Sequence, residues 1–477
     1  MTGVVQLSRV VFGIALARLL TPSQYGLAGM ALVFSSLVLT FSDLSMGRAL
    51  VQRRHLTEAD RSTVFWMSAG LGLVLLLGGI GLSGPLASFY HQPHVRPLFA
   101  VVSVSFLLVA LQTTQASLLQ REMRFRAITM RVAAANVVGG AVGVTLAALG
   151  AGSWAMIVGQ ICVSGTSTVL LWTFSSWRPR LIFSLRSLRE LGGFGLNLFG
   201  AQTLNYLNRN ADNILVGRFL GSGALGAYSV AYNIMLLPLS RLIWPIQDVL
   251  YPAYSRWQDD RERLARTWLR VARLTAAIVC PTMIGLSIVS GDFVRVVLGE
   301  RWLAALPVLR VLAPVAVFQS LALLGDRVLT ALDRTRVILR FTAVECALTV
   351  PAFAVGLHWG ILGVAVCYAI VTTPLQLVYI GIAARALSTP LLTLVRSFSG
   401  VLEATALMAA ACVVTKWALG QAGFDALQRL PVEILVSALV FAGACAVRQP
   451  EVLAELRHVR RLHAGAQSEA DVLPASS

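Results

Sequence analysis

Charge is scarce in this chain: Asp, Glu, Lys and Arg together make up 13% of 477 residues, about half of what a soluble protein carries. That scarcity excludes the two or three soluble domains that the length alone would suggest. Lysine is nearly missing, with Lys416 standing alone among the arginines; the sequence offers no functional reason for it. Cysteine is sparse too. The six residues Cys162, Cys280, Cys346, Cys367, Cys412 and Cys445 fall inside apolar blocks, at no metal-ligand spacing, and read as small buried residues rather than disulfides or ligands. The six histidines are scattered; His91 and His94 are three apart, but Gln92-Pro93 makes a loop between them and no acidic or Cys partner stands beside them. No metal and no cofactor are therefore expected. There is no Gly-Lys-Ser/Thr phosphate loop and no nucleophile elbow, so neither ATP hydrolysis nor acyl chemistry is expected.

What the chain has is apolar length. Hydrophobic residues make up 57%, and the mean hydropathy is +0.74. They come in continuous blocks of about twenty, enough to cross a ~30 Å hydrocarbon core as a helix. Continuity rather than alternation argues against a barrel. The blocks predict an all-α integral membrane protein of about 14 transmembrane helices. The net charge of +17 would suggest nucleic acid in a soluble protein. Here the arginines gather in alternate gaps, such as Arg53, Arg54 and Arg61, then Arg121, Arg124 and Arg126, then Arg256, Arg261, Arg263 and Arg266. That pattern marks cytoplasmic loops facing anionic lipid, so no nucleic acid is expected and both termini are placed in the cytoplasm. The first block carries an Ala15-Leu16-Ala17 triplet like a secretory signal, but the repeat described next explains it better. Ser184–Gly192 reads as an interfacial helix, Pro450–Leu462 as an amphipathic helix, and Ala464–Ser477 as a disordered tail.

Sliding the chain by 200 residues superposes Ala17-Arg18-Leu19-Leu20 on Gly217-Arg218-Phe219-Leu220, Gly26 on Gly226, and Asp60-Arg61 on Asp260-Arg261. With a slightly larger shift, Glu122-Met123-Arg124 meets Asp333-Arg334-Thr335. Apolar matches arise by chance; charges and turn glycines held in register do not. A shift over an even number of helices implies parallel repeats, related by an axis along the membrane normal. The repeat also makes the first helix look shortened at its start by about ten residues relative to the helix near Leu191.

At this point the residues resemble a family. Ala17-Arg18-Leu19-Leu20-Thr21-Pro22-Ser23-Gln24-Tyr25-Gly26, Phe41-Ser42-Asp43-Leu44-Ser45-Met46-Gly47 and Asn205-Tyr206-Leu207-Asn208-Arg209-Asn210-Ala211-Asp212-Asn213 are similar to the polysaccharide exporters of the Wzx type, near the colanic acid and succinoglycan branch. Their superfamily also holds multidrug/cation antiporters and the lipid II flippase. The resemblance covers nearly the whole chain. It implies two pseudo-symmetric six-helix bundles around a central cavity plus two C-terminal helices, alternating access in a bacterial inner membrane, and a substrate of sugar repeat units on undecaprenyl diphosphate. Its partners would be that lipid-linked oligosaccharide, membrane lipid, and a polysaccharide polymerase with its glycosyltransferases. The expected division is an N-terminal bundle over 1–175, a cytoplasmic linker over 176–190, a second bundle over 191–385, two further helices over 386–447 and a tail over 448–477.

Carrying such a substrate needs no covalent step. It needs a path for an anionic head group while the prenyl tail stays in lipid. A charged side chain at mid-membrane costs roughly 2.5–3.5 kcal/mol on insertion scales, so each one calls for a partner or a wet cavity. Arg9 and Arg209 are repeat-equivalent and lie inside apolar blocks; a guanidinium suits a diphosphate or acidic sugar. The plainer reading is an ion pair of Arg209 with Asp212 at i,i+3. Asn205, Asn208 and Asp212 share a helical face, where they could bind sugar hydroxyls or glue helices together. Arg241 is a further candidate for the cavity. Arg18 and Arg218 read as snorkelling or capping residues. Coupling to an ion gradient would need a carboxylate, and Asp43, Asp212, Asp248, Asp326, Glu345 and Glu403 are the candidates, with neutralised structural charges as the alternative; Glu345 and Glu403 lie deepest in their blocks. Pro238, Pro245 and Pro252 permit kinks that serve gating or are static.

Two rival classes remain. An ion-coupled multidrug or metabolite antiporter of the same superfamily should bury fewer arginines, since its substrates are mostly cations. A membrane glycan polymerase or glycosyltransferase should carry a large catalytic loop, whereas no outer gap here much exceeds about a dozen residues.

Overall fold

The structure is a computed structural model, and it describes residues 2–42, 47, 50–51, 53, 56–184 and 195–449. Every regular element among them is helical. In chain order these are α1 (Thr2–Leu19), α2 (Pro22–Ser42), α3 (Glu58–Tyr90), α4 (Val95–Val102), α5 (Val104–Arg121), α6 (Phe125–Ala148), α7 (Trp154–Phe174), α8 (Gly195–Met235), α9 (Trp244–Arg256), α10 (Arg261–Phe293), α11 (Leu306–Ala331), α12 (Thr335–Gly356), α13 (Gly360–Ala386), α14 (Leu391–Gln421) and α15 (Ala426–Arg448). Ten helical stretches among the described residues are long and apolar enough to cross a membrane. The expected helices at Ser184–Gly192 and Pro450–Leu462 and the tail fall outside the described residues, wholly or nearly so.

The chain divides into two compact units. One comprises Met1–Val230, Val297–Ala304 and Phe353–Val364; the other comprises Ala231–Val296, Ala305–Ala352 and Ala365–Ser477.

In the first unit, α1 lies on α6, α3 on α5, and α6 on α7. Small residues let the last pair approach closely: a β-carbon on Gly139 would lie 2.7 Å from Gly159 O, and one on Gly159 would lie 3.0 Å from Gly139 O. Lipid tails are as apolar as Leu, so such close packing, rather than hydrophobic burial, holds membrane helices together. The start of α3 is fixed by a capping box, in which Thr57 Oγ1 accepts from Asp60 N at 3.2 Å and Asp60 Oδ2 accepts from Thr57 N at 3.0 Å. The basic segment after α7 is strapped to that same helix. Arg180 N donates to Ser62 Oγ at 3.2 Å, Trp66 Nε1 to Arg180 O at 2.8 Å, and Trp177 Nε1 to Glu58 Oε1 at 2.7 Å. The loop Val297–Ala304 seats Trp302 against α1 and α2: its Nε1 donates to Ala17 O at 2.6 Å and its ring meets Tyr25 edge-on at 5.6 Å.

α8 is two helices joined at Gly221, whose φ of 83° and ψ of −179° suit only glycine. The chain folds back there, so that Asp212 meets Tyr228 and Asn213 meets Ser229. In the second unit, Pro238 precedes a π-helical turn over Leu239–Ile243 that leads into α9, which holds Pro245 in its first turn and Pro252 inside. Widened turns and inner prolines are recognised causes of bending. The core of this unit gathers Trp268, Leu264 and Tyr254 with Val328, Leu329, Tyr379 and Ala383. α10 packs on α11, α14 and α15, and α14 packs on α15.

Two turns that the sequence match brings near one another have the same backbone form. Met123 has φ 56° and Asp333 φ 55°, and each is followed by an arginine N–H that closes onto the helix behind it, Arg124 N on Leu119 O at 3.0 Å and Arg334 N on Leu329 O at 2.8 Å. The two turns thus share a geometry in which Met123 corresponds to Asp333 and Arg124 to Arg334, whereas the match of charges sets Glu122 on Asp333. The matched Asp60 and Asp260 both cap helices from different places: Asp260 is itself the cap of α10, its Oδ1 accepting from Arg263 N at 3.0 Å, whereas Asp60 lies three residues after its cap.

Candidate functional site: buried polar and charged groups in the helices

In the first unit, Arg9 on α1 is exposed, and its Nε donates to Asn136 Oδ1 on α6 at 2.8 Å. Asn136 Nδ2 turns back onto Val132 O at 2.6 Å, so the carbonyl end of the amide is fixed toward the guanidinium, and the remaining guanidinium nitrogens keep their donors. Arg209 on α8 is exposed as well. Asp212, one turn further on, is 1% exposed. Its Oδ2 accepts from Tyr228 OH at 3.0 Å, and its Oδ1 accepts from Asn213 N at 2.7 Å and Asn213 Nδ2 at 3.2 Å. Asp212 is thus taken up by the fold-back of its own helical hairpin. Tyr206, on the same helix, donates to Val33 O and ties α8 to α2. The backbone places Asn205 and Asn208 on α8, Arg241 in the π-helical turn and Asp248 on α9; their side chains, and Asp43 altogether, lie outside the described residues.

The second unit holds the remaining carboxylates. Glu345 on α12 is half-buried and its Oε1 accepts from Gln376 Nε2 on α13 at 2.8 Å. Tyr379, one turn along α13, donates to Asp326 Oδ1 on α11. These four polar residues link α11, α12 and α13 into one network, and only the carboxylates were marked by sequence. Glu403 on α14 is exposed and pairs with Arg448 at 3.3 Å.

One cluster was missed. Asp292, 2% exposed at the end of α10, lies 3.1 Å from Lys416 Nζ on α14 and accepts from Arg429 Nη2 on α15 at 3.1 Å. Glu433, fully buried, lies one helical turn beyond Arg429. A signal was available: the single lysine of the chain falls inside an apolar block, and Arg429 and Glu433 are four apart in another.

Comparison with known proteins shows the family. A family model for polysaccharide biosynthesis proteins matches residues 15–307. The lipopolysaccharide biosynthesis protein WzxC of Escherichia coli (strain K12) is 30% identical over 347 residues, 72% of this chain and 70% of that protein. The succinoglycan biosynthesis transport protein ExoT of Rhizobium meliloti (strain 1021) is 29% identical over 302 residues, and the chain spans 60% of its length. Among solved structures, the lipid II flippase MurJ in an inward closed conformation superposes with a TM-score of 0.77 over 95% of this chain and 98% of its own, at 15% identity, which speaks for the fold alone. An all-helical, multi-pass membrane chain with that fold, and with this match over more than half its length, belongs to the family of polysaccharide biosynthesis proteins.

Proposed function

We propose that this chain flips undecaprenyl-diphosphate-linked oligosaccharide repeat units across the bacterial plasma membrane, by alternating access, for exopolysaccharide or lipopolysaccharide synthesis. It is a transporter and carries out no covalent chemistry on its cargo. One observation carries the reading: a single stretch, residues 15–307, matches the polysaccharide biosynthesis family, and it lies within a fold like that of a protein named a lipid II flippase. In this reading the chain has fourteen spans, two pseudo-symmetric six-helix bundles over 1–175 and 191–385 joined by the linker 176–190, two further helices over 386–447, and both termini in the cytoplasm.

Arg9 and Arg209 hold the diphosphate or an acidic sugar within a wet path. Both are exposed on their helices, and an arginine at that depth is tolerated only beside a partner or water. Asn205, Asn208 and Arg241 would add hydrogen bonds to sugar hydroxyls. Asp212 contributes by holding the hairpin that presents Arg209. Glu345, with Asp43 and Asp248, remains the candidate for ion coupling, and Glu403 has its charge met by Arg448. A polymerase and glycosyltransferases would work beside it.

The test is reconstitution. Vesicles holding the purified chain and a fluorescent undecaprenyl-diphosphate oligosaccharide are exposed to a membrane-impermeant quencher. Quenching beyond the outer-leaflet half, in vesicles with the chain and not in empty ones, is expected. Equal quenching in both, together with export of a lipophilic cation from the same vesicles, would replace the flippase by the antiporter.

A further inference from the structure

The last two helices carry buried charges outside the set proposed for the flipping path. Asp292, on α10, is a single buried carboxylate holding two cations: Lys416 Nζ at 3.1 Å from Oδ2 and Arg429 Nη2 at 3.1 Å from Oδ1. Lys416 also donates to Ile288 O at 2.9 Å, one turn back on α10. These contacts fasten α14 and α15 to α10.

Glu433 sits four residues after Arg429 on α15, the spacing at which an arginine and a glutamate ordinarily pair along a helix. Here Arg429 crosses to α10 instead. Glu433 is left fully buried, and among the described residues neither of its carboxylate oxygens has a hydrogen-bond partner. An ionised carboxylate so placed, without a donor, costs several kcal/mol; a proton removes that cost.

Among the described residues, α14 and α10 pack most extensively on α15. From α10 comes Asp292, from α14 come Lys416 and the thiol of Cys412, and from α15 itself comes Arg429. Ser437, one turn further along α15, meets the Cys412 thiol. The pair Glu403–Arg448 belongs to the opposite end of the same two helices. With Glu433 ionised the cluster is neutral; with Glu433 protonated it carries one positive charge.

We propose that Glu433 is a proton-binding site whose occupancy decides which carboxylate Arg429 holds. The proton comes from water onto a carboxylate oxygen of Glu433. When it is bound, Arg429 is free to reach across to Asp292, and α15 is clamped to α10 as in this structure. When it leaves, the carboxylate draws Arg429 back along its own helix. Lys416 then neutralises Asp292 alone, and the clamp between α10 and α15 opens while that between α10 and α14 stays. The device needs two cations and two carboxylates on three helices, and that is the set found.

Infrared difference spectroscopy on the purified chain in nanodiscs, stepped from low to high pH, tests the site without reference to flipping. The C=O stretch of a buried carboxylic acid should disappear as pH rises. The band should be missing in Glu433→Gln and present, at a displaced frequency, in Glu433→Asp. A spectrum unchanged by Glu433→Gln overturns the proposal. A spin label on α10 paired with one on α15 should show a distance that lengthens with pH in the parent chain and stays fixed in Glu433→Gln; a distance indifferent to pH in the parent also overturns it. Failure of the flipping assay in every variant and in the parent would count against the transport reading and leave these two measurements standing.

Discussion

Gly26 and Gly226 each press against the backbone of the helix that carries the other. A β-carbon on Gly26 would lie 1.8 Å from Ser222 O, and one on Gly226 would lie 1.9 Å from Pro22 O. The two glycines and the two carbonyl residues are both related by the shift of 200 residues found in the sequence, and Ser23 Oγ meets Ser222 Oγ at 3.0 Å beside them. No real side chain fits at either place without moving backbone.

Gly26→Ala or Gly226→Ala should therefore pry this crossing apart. Overpacking a tight contact costs about 1–3 kcal/mol, and here backbone opposes the new atom, so the upper part of that range is expected. Each variant should melt earlier in detergent than the parent, and the effect should be similar for the two because the contacts are reciprocal. Gly223→Ala, where a β-carbon would meet open space, serves as the control and should melt like the parent.

Asp212 and Tyr228 make a second internal lock. Tyr228 is fully buried and its hydroxyl reaches a carboxylate that is itself 1% exposed. Tyr228→Phe keeps the ring and removes one donor to a buried acceptor, a loss worth about 1–3 kcal/mol. Thermal unfolding should show it. If Asp212 served only the cargo, the phenylalanine variant would unfold like the parent.

Helices were legible in the sequence because a ~30 Å apolar run has little freedom to be anything else. The shift of 200 residues was visible through charges and turn glycines, and it relates Gly26 to Gly226, which pack reciprocally. What stayed hidden depends on which helix faces which. Arg9 meets Asn136 across 127 positions, and nothing in either helix names the other. Arg429 has a glutamate at the favoured spacing on its own helix and yet goes to Asp292 on α10. Local spacing alone would favour a pair that the tertiary arrangement overrides. Near Met123 and Asp333 a matched charge and a matched left-handed turn residue give registers that differ by one, and only the turn residue is fixed by backbone geometry.

In the proposed path, Arg9 and Arg209 hold the anionic part of the cargo. Changing both to Gln removes two permanent charges from apolar helices and so spares the membrane insertion cost. The double variant should reach the membrane at the parent's level, by blot and by thermal profile, while exopolysaccharide output falls to the level of cells lacking the chain. Arg9→Lys keeps charge but loses the planar fork that reaches Asn136, and should give an intermediate loss. Normal output from the double variant would remove both residues from the path.

The two glutamates proposed from sequence as ion-coupling groups should part company. Glu403 and Arg448 are both exposed, at 50% and 60% of their side chains, and 3.3 Å apart; a pair of that kind contributes about 0–1 kcal/mol. Glu345 is half-buried between α12 and α13, and it is the acceptor for Gln376, whose own exposure is 8%. Removing it strands a buried amide donor, at a cost of about 1–3 kcal/mol. Glu403→Ala should therefore leave both melting and flipping near the parent's values, and Glu345→Ala should depress both. Glu345→Gln separates structure from coupling. Its carbonyl oxygen can still accept from Gln376, so the melting temperature should recover. Flipping that stays low in Glu345→Gln, in vesicles given an ion gradient, would assign Glu345 a charge-dependent role; flipping that recovers with the melting temperature would assign it to the helix contact alone.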